Sequence, residues 1–265
     1  MVIIMGSVTF PKIGEKHRLN PLFSPDHILK EQTQGVPKRA VFVYGKHVEE
    51  AMDRELELYN DRKLARHIVN SDRMNRSRQV RDLLVVKLAI GAPLTATVAE
   101  ELFAIGVKEI VIMGIAGALD KRLNFGDIVV CSKAVRDEGT SHHYLKNSMY
   151  VYPSAKLMGR LESITKRLGI AYSKGATWTI DAPYAETVQE VIHYRKKGIL
   201  TVEMEAAALF AVAEKRRKAA GAIFTISDIL DPEGWSGFDE HGKRIRKREA
   251  YPKMARIAKE FGKGR

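Results

Sequence analysis

The sequence predicts an α/β fold in a single domain, and three observations lead there. Short apolar runs that stop at glycine alternate with stretches of helix-like spacing, the order expected of a sheet with crossover helices. A chain of 265 residues with 45% hydrophobic composition is long enough to bury one full core. Carboxylates stand where several apolar runs end, and in open α/β sheets the ends of strands line the crevice that holds ligands.

Residues 1–39 are punctuated by Pro11, Pro21, Pro25 and Pro37, which predicts an extended arm that docks on another surface. Asp26-His27-Ile28-Leu29 opens a short helix in it, capped by Ser24 or Asp26. Residues 40–265 form the domain. Ala40–Tyr44 predicts a strand, Val48–Leu58 a helix, Leu83–Leu88 a strand, and Thr95–Ile105 a helix after the turn Gly91-Ala92-Pro93. Glu109–Met113 is a strand that stops at the glycine-bearing loop 114–119. Ile128–Ser132 is another, leading into a polar loop that carries Arg136, Asp137, Glu138 and His142-His143. A helix over Ser154–Leu168, strand over Ala171–Ile180 and helix over Glu186–Lys197 follow. After Gly198 come a buried strand, a helix over Ala206–Lys218, a strand over Ala222–Asp228, a basic loop and a final helix over Tyr251–Phe261.

The formal net charge is +12, from 44 Lys and Arg against 32 Asp and Glu. Its densest clusters, 215–218 and 243–248, lack interleaved aromatics and match no nucleic-acid motif, so they predict solvated faces rather than a nucleic-acid partner. Cys131 lies in an apolar run and predicts a buried strand residue in a reducing, cytoplasmic setting. No apolar run is long enough for a signal peptide or a membrane span. The glycines at 91, 114 and 117 match neither a dinucleotide fingerprint nor a P-loop, so no nucleotide cofactor is expected. No His, Cys and Asp spacing completes a zinc site, and no nucleophile elbow is present.

The stretch richest in chemistry is Thr201-Val202-Glu203-Met204-Glu205-Ala206-Ala207-Ala208. It joins a buried strand to a run of strong helix formers. Two acceptor-only carboxylates on one face of an extended segment suit a ligand with neighbouring hydroxyls, such as a ribose diol, or a metal ion. Glutamates in a first helical turn also simply complement the helix dipole. Asp181 and Asp228 mark two further strand ends.

Five segments in order carry a resemblance: Gly114-Ile115-Ala116-Gly117-Ala118-Leu119, Gly126-Asp127-Ile128-Val129, Ala134 through Ser141, Val202-Glu203-Met204-Glu205-Ala206-Ala207, and Thr225-Ile226-Ser227-Asp228. Together they resemble the nucleoside phosphorylase family, which includes uridine phosphorylase, hexameric purine nucleoside phosphorylase and methylthioadenosine nucleosidases. The resemblance runs from about Ala40 to the end. It implies an α/β/α sandwich around a twisted mixed sheet and a pentosyltransferase of purine salvage, with phosphate as co-substrate and no cofactor. By the same resemblance Glu205 accepts hydrogen bonds from the sugar, Met204 packs on it and Glu203 lies close by. Gly117 borders the substrate, Tyr184 meets base or sugar, and Asp228 assists a purine leaving group. His27 resembles the arm histidine that reaches a neighbouring subunit's site, which implies a dimer-based homo-oligomer, up to a hexamer.

The family's phosphate-binding residues are replaced. The first loop reads Gly45-Lys46-His47-Val48-Glu49, an arginine position is Ile112 and a hydroxyl position is Ile115. Exchanging a guanidinium and a hydroxyl for isoleucine removes charge-assisted hydrogen bonds. Three readings stay open: an anion site rebuilt from Lys46, His47 or Arg66, hydrolysis by water, and a nucleoside-binding oligomer without catalysis.

Overall fold

Eleven strands among the described residues join into one mixed sheet with helices on both faces. The computed structural model describes residue 11 and residues 15–29, 36–56, 59–60, 77–80, 82–237 and 241–264; Arg66 lies outside them. In chain order the elements are α1 (Pro25–Ile28), β1 (Arg39–Val43), α2 (Lys46–Leu56), β2 (Tyr59–Asn60), β3 (Ser77–Val80), β4 (Leu83–Lys87), α3 (Ala92–Ala104), β5 (Glu109–Ala118) and β6 (Ile128–Asp137). Then follow β7 (Tyr150–Val151), α4 (Ala155–Arg167), β8 (Ser173–Ile180), α5 (Val188–Lys196), β9 (Ile199–Glu203), α6 (Ala206–Lys215), β10 (Ala219–Asp231), β11 (Gly234–Ser236) and α7 (His241–Gly262).

The sheet order is β11-β10-β6-β8-β9-β5-β1-β4-β3-β2, with β7 on β6. An additional pairing of β10 with β5 closes β5, β10, β6, β8 and β9 into a ring. β5 therefore has three strand partners: parallel β1 and β10, and antiparallel β9 near its carboxyl end. The site is built around that end.

Residues 114–118 are part of β5 rather than a loop, which corrects the expectation that glycines there end the strand. The pairing explains it. Gly117 faces Val202 of β9 on one side and Asp228 of β10 on the other. A Cβ on Gly117 would lie 2.4 Å from Leu230 Cδ1 and 3.1 Å from Asp228 Oδ2, so the glycine serves close approach, not a turn. β6 likewise continues through Asp137, so Arg136 and Asp137 are in the strand rather than in the expected polar loop. β10 runs on to Asp231 and folds back as the hairpin strand β11. The basic run after Asp228 is helical from His241, where a loop was expected. His142 and His143 sit in the expected loop, within a 3-10 turn, Ser141–His143.

One core layer lies between the sheet and α3 with α6, and includes Phe42, Leu102, Phe210 and Phe224. The opposite layer lies under α2, α4 and α7 and includes Met52, Leu161, Met254 and Phe261. Each such side chain contributes about 1.5–3 kcal/mol on burial. α6 is lined by alanine and is buried from Ala206 through Ala213, which lets it pack directly on the strands. Among the described residues no helix is long and apolar enough to cross a membrane.

Candidate active site

Glu203 is the last residue of β9, and its carboxylate is held on both oxygens by the protein. Oε2 accepts the N–H of Glu205 and of Ala206, both at 2.8 Å. Oε1 accepts the Thr179 hydroxyl at 2.6 Å and, more weakly, that of Thr177 at 3.5 Å. A carboxylate offers about four acceptor positions; three are filled at 2.6–2.8 Å, while the single Thr177 proton is shared with Thr201 O at 3.3 Å. Two of the donors open α6, so Glu203 does the work of a helix cap from two residues upstream, where the dipole favours its charge. Thr179 Oγ1 completes the cap by accepting from Ala207 N at 3.1 Å. These threonines reach Glu203 because β8 lies parallel beside β9, with Thr179 opposite Glu203.

Glu205 is equally buried, at 5% exposure, but differently used. Its Oε1 accepts from Gly91 N at 2.7 Å, and its Oε2 receives only the Met204 N–H at 3.3 Å. Acceptor capacity therefore remains on a buried carboxylate. Gly91 stands at the N-cap of α3 with φ 120°, a conformation that suits only glycine, and it turns its N–H toward Glu205. Burial raises the pKa of both glutamates, and the charge of Glu203 raises Glu205 further. Three short hydrogen bonds hold the charge on Glu203 against one short bond on Glu205, so the shared proton belongs on Glu205.

Tyr44, which follows β1, forms the floor beside this pair. Its hydroxyl is 2.6 Å from Thr95 Oγ1, and burial, followed by the charge of Glu205, pushes its pKa well up.

Asp228 stands across β5 on β10. One oxygen accepts from Ser227 Oγ and the other from Trp235 Nε1, the latter at 3.0 Å. Trp235 comes from the hairpin strand β11, which sequence periodicity did not reveal. Tyr184, in the 3-10 turn Pro183–Ala185, is fully exposed. Met204 is half-buried between the glutamates. Asp181 accepts from Gly139 N at 2.8 Å and ties the loop after β6 to the end of β8. His27 is exposed on α1, and its Nδ1 lies 3.1 Å from Ser24 N; α1 packs against α3.

The loop after β6 is organised by two buried charges absent from the candidate set. Arg136 donates to Ser141 Oγ, Lys146 O, Ser148 Oγ and Leu145 O over 2.7–3.3 Å. Glu138 accepts from Thr140 N and Ser141 N. Polar residues inside an otherwise apolar strand were the available signal.

Around the first loop, Ile112 is fully buried in the core and Ile115 is 39% exposed. A Cβ on Gly45 would sit 3.9 Å from Ile115 Cδ1, so the crevice wall there is hydrocarbon. Lys46 and His47 both turn to Glu50, at 3.9 and 3.3 Å, and Lys87 is paired with Glu49. Among the described residues no three His, Cys, Asp or Glu side chains gather as metal ligands.

A family model described as the Phosphorylase superfamily matches residues 47–261. A guanosine phosphorylase of Halorubrum lacusprofundi is 31% identical over 192 residues, covering 71% of this chain and 78% of that protein. Two solved structures share the fold. An AMP nucleosidase from Bacteroides thetaiotaomicron aligns with TM-score 0.69 at 19% identity over 91% of this chain and 98% of its own. Uridine phosphorylase from Vibrio fischeri aligns with TM-score 0.66 at 23% identity over 86% and 90%. The strand-end carboxylates, the ring around β5 and the extent of these matches agree, and the chain belongs to the phosphorylase superfamily of nucleoside phosphorylases and nucleosidases.

Proposed function

We propose that the protein cleaves the N-ribosyl bond of a purine nucleoside, with Glu205 on the sugar and Asp228 at the base. The observation that carries the reading is the unequal use of the two glutamates: Glu203 is held by three short hydrogen bonds from the protein, whereas Glu205 has one short bond and keeps acceptor positions open. Ribose hydroxyls are donors of the right kind to fill them.

Bond cleavage builds positive charge on the sugar, and a buried carboxylate stabilises that charge more strongly than water does. Met204 packs on the ribose, Gly117 leaves room for the backbone to approach, and Tyr184 meets the base. Asp228 accepts from or donates to the purine ring as it leaves. His27 of one subunit completes the site of its neighbour, in a dimer-based homo-oligomer.

The attacking group is phosphate, as the name of the Halorubrum relative suggests. One observation favours water instead: Ile112 is enclosed in the core, Ile115 lines the crevice with hydrocarbon, and Lys46, His47 and Lys87 are turned to carboxylates. Incubation with a nucleoside and nucleotide panel, with and without phosphate, separates the readings. Free purine released only with phosphate supports phosphorolysis, and release without it supports hydrolysis. Ligand binding with no release under either condition overturns cleavage altogether.

A further inference from the structure

Glu205 is held by a line of hydrogen bonds that begins 161 positions earlier in the chain, at Tyr44. Side chains of a strand alternate between faces, and Ala40, Phe42 and Tyr44 share the face of β1 that looks into the layer under α3. Tyr44 N donates to Met113 O at 3.4 Å, which carries the pairing with β5 one residue past β1. Gly45, with φ 94°, then turns the backbone away toward α2. The tyrosine side chain stays behind, buried against Gly114 of β5, where a Cβ would meet Tyr44 Cβ at 3.4 Å and Cδ2 at 3.5 Å.

The Tyr44 hydroxyl reaches Thr95 Oγ1 on α3 at 2.6 Å. Thr95 Oγ1 donates to Gly91 O at 3.0 Å. A threonine hydroxyl has one proton, so with that proton on Gly91 the tyrosine is the donor in the bond between them. Gly91 O also accepts Thr95 N, at 3.2 Å. With its carbonyl pinned by both groups of Thr95, Gly91 turns its N–H onto Glu205 Oε1 at 2.7 Å. That bond is the one short constraint on the Glu205 carboxylate, whose Oε2 meets only Met204 N at 3.3 Å. A carboxylate fixed on one oxygen presents the other in a set direction and loses less freedom when a ligand docks.

We propose that Tyr44 is a positioning residue for the sugar: through Thr95 and Gly91 it fixes Glu205 Oε1 and so leaves Oε2 set for the ribose hydroxyls. This rests on the reading of Glu205 as the ribose grip. Tyr44 acts through Glu205 and does not touch the substrate.

The test measures dissociation constants of inosine and 2′,3′-dideoxyinosine, whose ratio reports the sugar hydroxyls. Tyr44→Phe should reduce the preference for inosine about tenfold, the scale of one neutral hydrogen bond. The dideoxy ligand should bind that variant as it binds wild type, which also shows that the variant is folded. Thr95→Val should lower the ratio in the same way, and Thr95→Ser, which keeps the hydroxyl, should retain the wild-type ratio. In a Glu205→Gln background Tyr44→Phe should leave inosine affinity unchanged, because its effect passes through that carboxylate. A further loss of inosine affinity there overturns the inference. Equal weakening of both ligands by Tyr44→Phe makes the tyrosine a packing residue and overturns it as well. If wild type binds no purine nucleoside, or does not prefer inosine, the reading of Glu205 falls and this inference falls with it. A wild-type preference that Tyr44→Phe keeps in full overturns the inference alone.

Discussion

Replacing Glu203 by alanine should destabilise the protein, while replacing Glu205 by glutamine should leave it at least as stable as before. Loss of the Glu203 carboxylate strands the N–H groups of Glu205 and Ala206, both bonded at 2.8 Å in a fully buried setting. Each orphaned buried donor costs about 1–3 kcal/mol. The Thr179 hydroxyl, 2.6 Å from Oε1, can rotate toward another acceptor and adds little. Removing the buried Glu203 charge returns about 1 kcal/mol, so the net loss should be about 1–5 kcal/mol. In Glu205→Gln the amide oxygen still accepts from Gly91 N, and a neutral amide replaces a carboxyl that already carries the shared proton. The variant should then be at least as stable as wild type at pH 7.5, since it no longer has a proton to take up on folding. Guanidinium denaturation followed by far-UV circular dichroism at pH 7.5 measures both, with nucleoside turnover read on the same samples. Glu205→Gln should be folded and inactive. Equal destabilisation by the two substitutions would refute the division of labour between the glutamates, as would a Glu203→Ala variant within 0.5 kcal/mol of wild type, the scale of an ordinary surface change.

Gly117→Ala should cost about 1–3 kcal/mol by overpacking, because its Cβ would meet Leu230 Cδ1 at 2.4 Å and Val202 Cγ1 at 3.1 Å. Turnover should fall further than stability alone explains, since Asp228 Oδ2 lies 3.1 Å from the same point; thermal melts and kcat taken together decide this. Arg136→Met should expose the loop of residues 138–148 to limited proteolysis, since it removes four hydrogen bonds that close that loop over β6. Nucleoside binding should release a proton. Burial and the Glu203 charge raise Glu205 in the free protein, and ribose donors favour its charged form, so affinity should increase as pH rises toward the raised value. Calorimetry in buffers of different ionisation enthalpy checks the sign. For stability the same shift runs the other way. The folded protein keeps a proton that the unfolded chain has already lost, so stability should decline as pH rises from about 4.5, and Glu205→Gln should flatten that decline.

Much of the site was readable because strand ends carry chemistry in this architecture. The run before Glu203 and the helix formers after it placed both glutamates correctly at a strand-to-helix junction. Periodicity could not separate their roles, because the difference lies in partners distant in sequence: Thr177 and Thr179 on one parallel strand, and Gly91 after another. The glycines at 114 and 117 read as a loop from local propensity, yet tertiary pairing draws them into β5, where the absent side chain admits Asp228 and Leu230. The same limit hid the hairpin of Trp235, whose single hydrogen bond to Asp228 joins residues seven apart.

The central claim is that Glu205 grips the ribose hydroxyls while Glu203 holds the backbone beneath it. Dissociation constants for a purine ribonucleoside and its 2′,3′-dideoxy analogue, on wild type and on Glu205→Gln, test it directly. Hydrogen bonds to a charged group contribute about 1.5–3 kcal/mol each, so wild type should prefer the ribonucleoside by about 100-fold or more. Glu205→Gln should bind the two within a few fold of each other. A wild-type protein that does not discriminate, or a Glu205→Gln variant that keeps the full preference, would contradict the account.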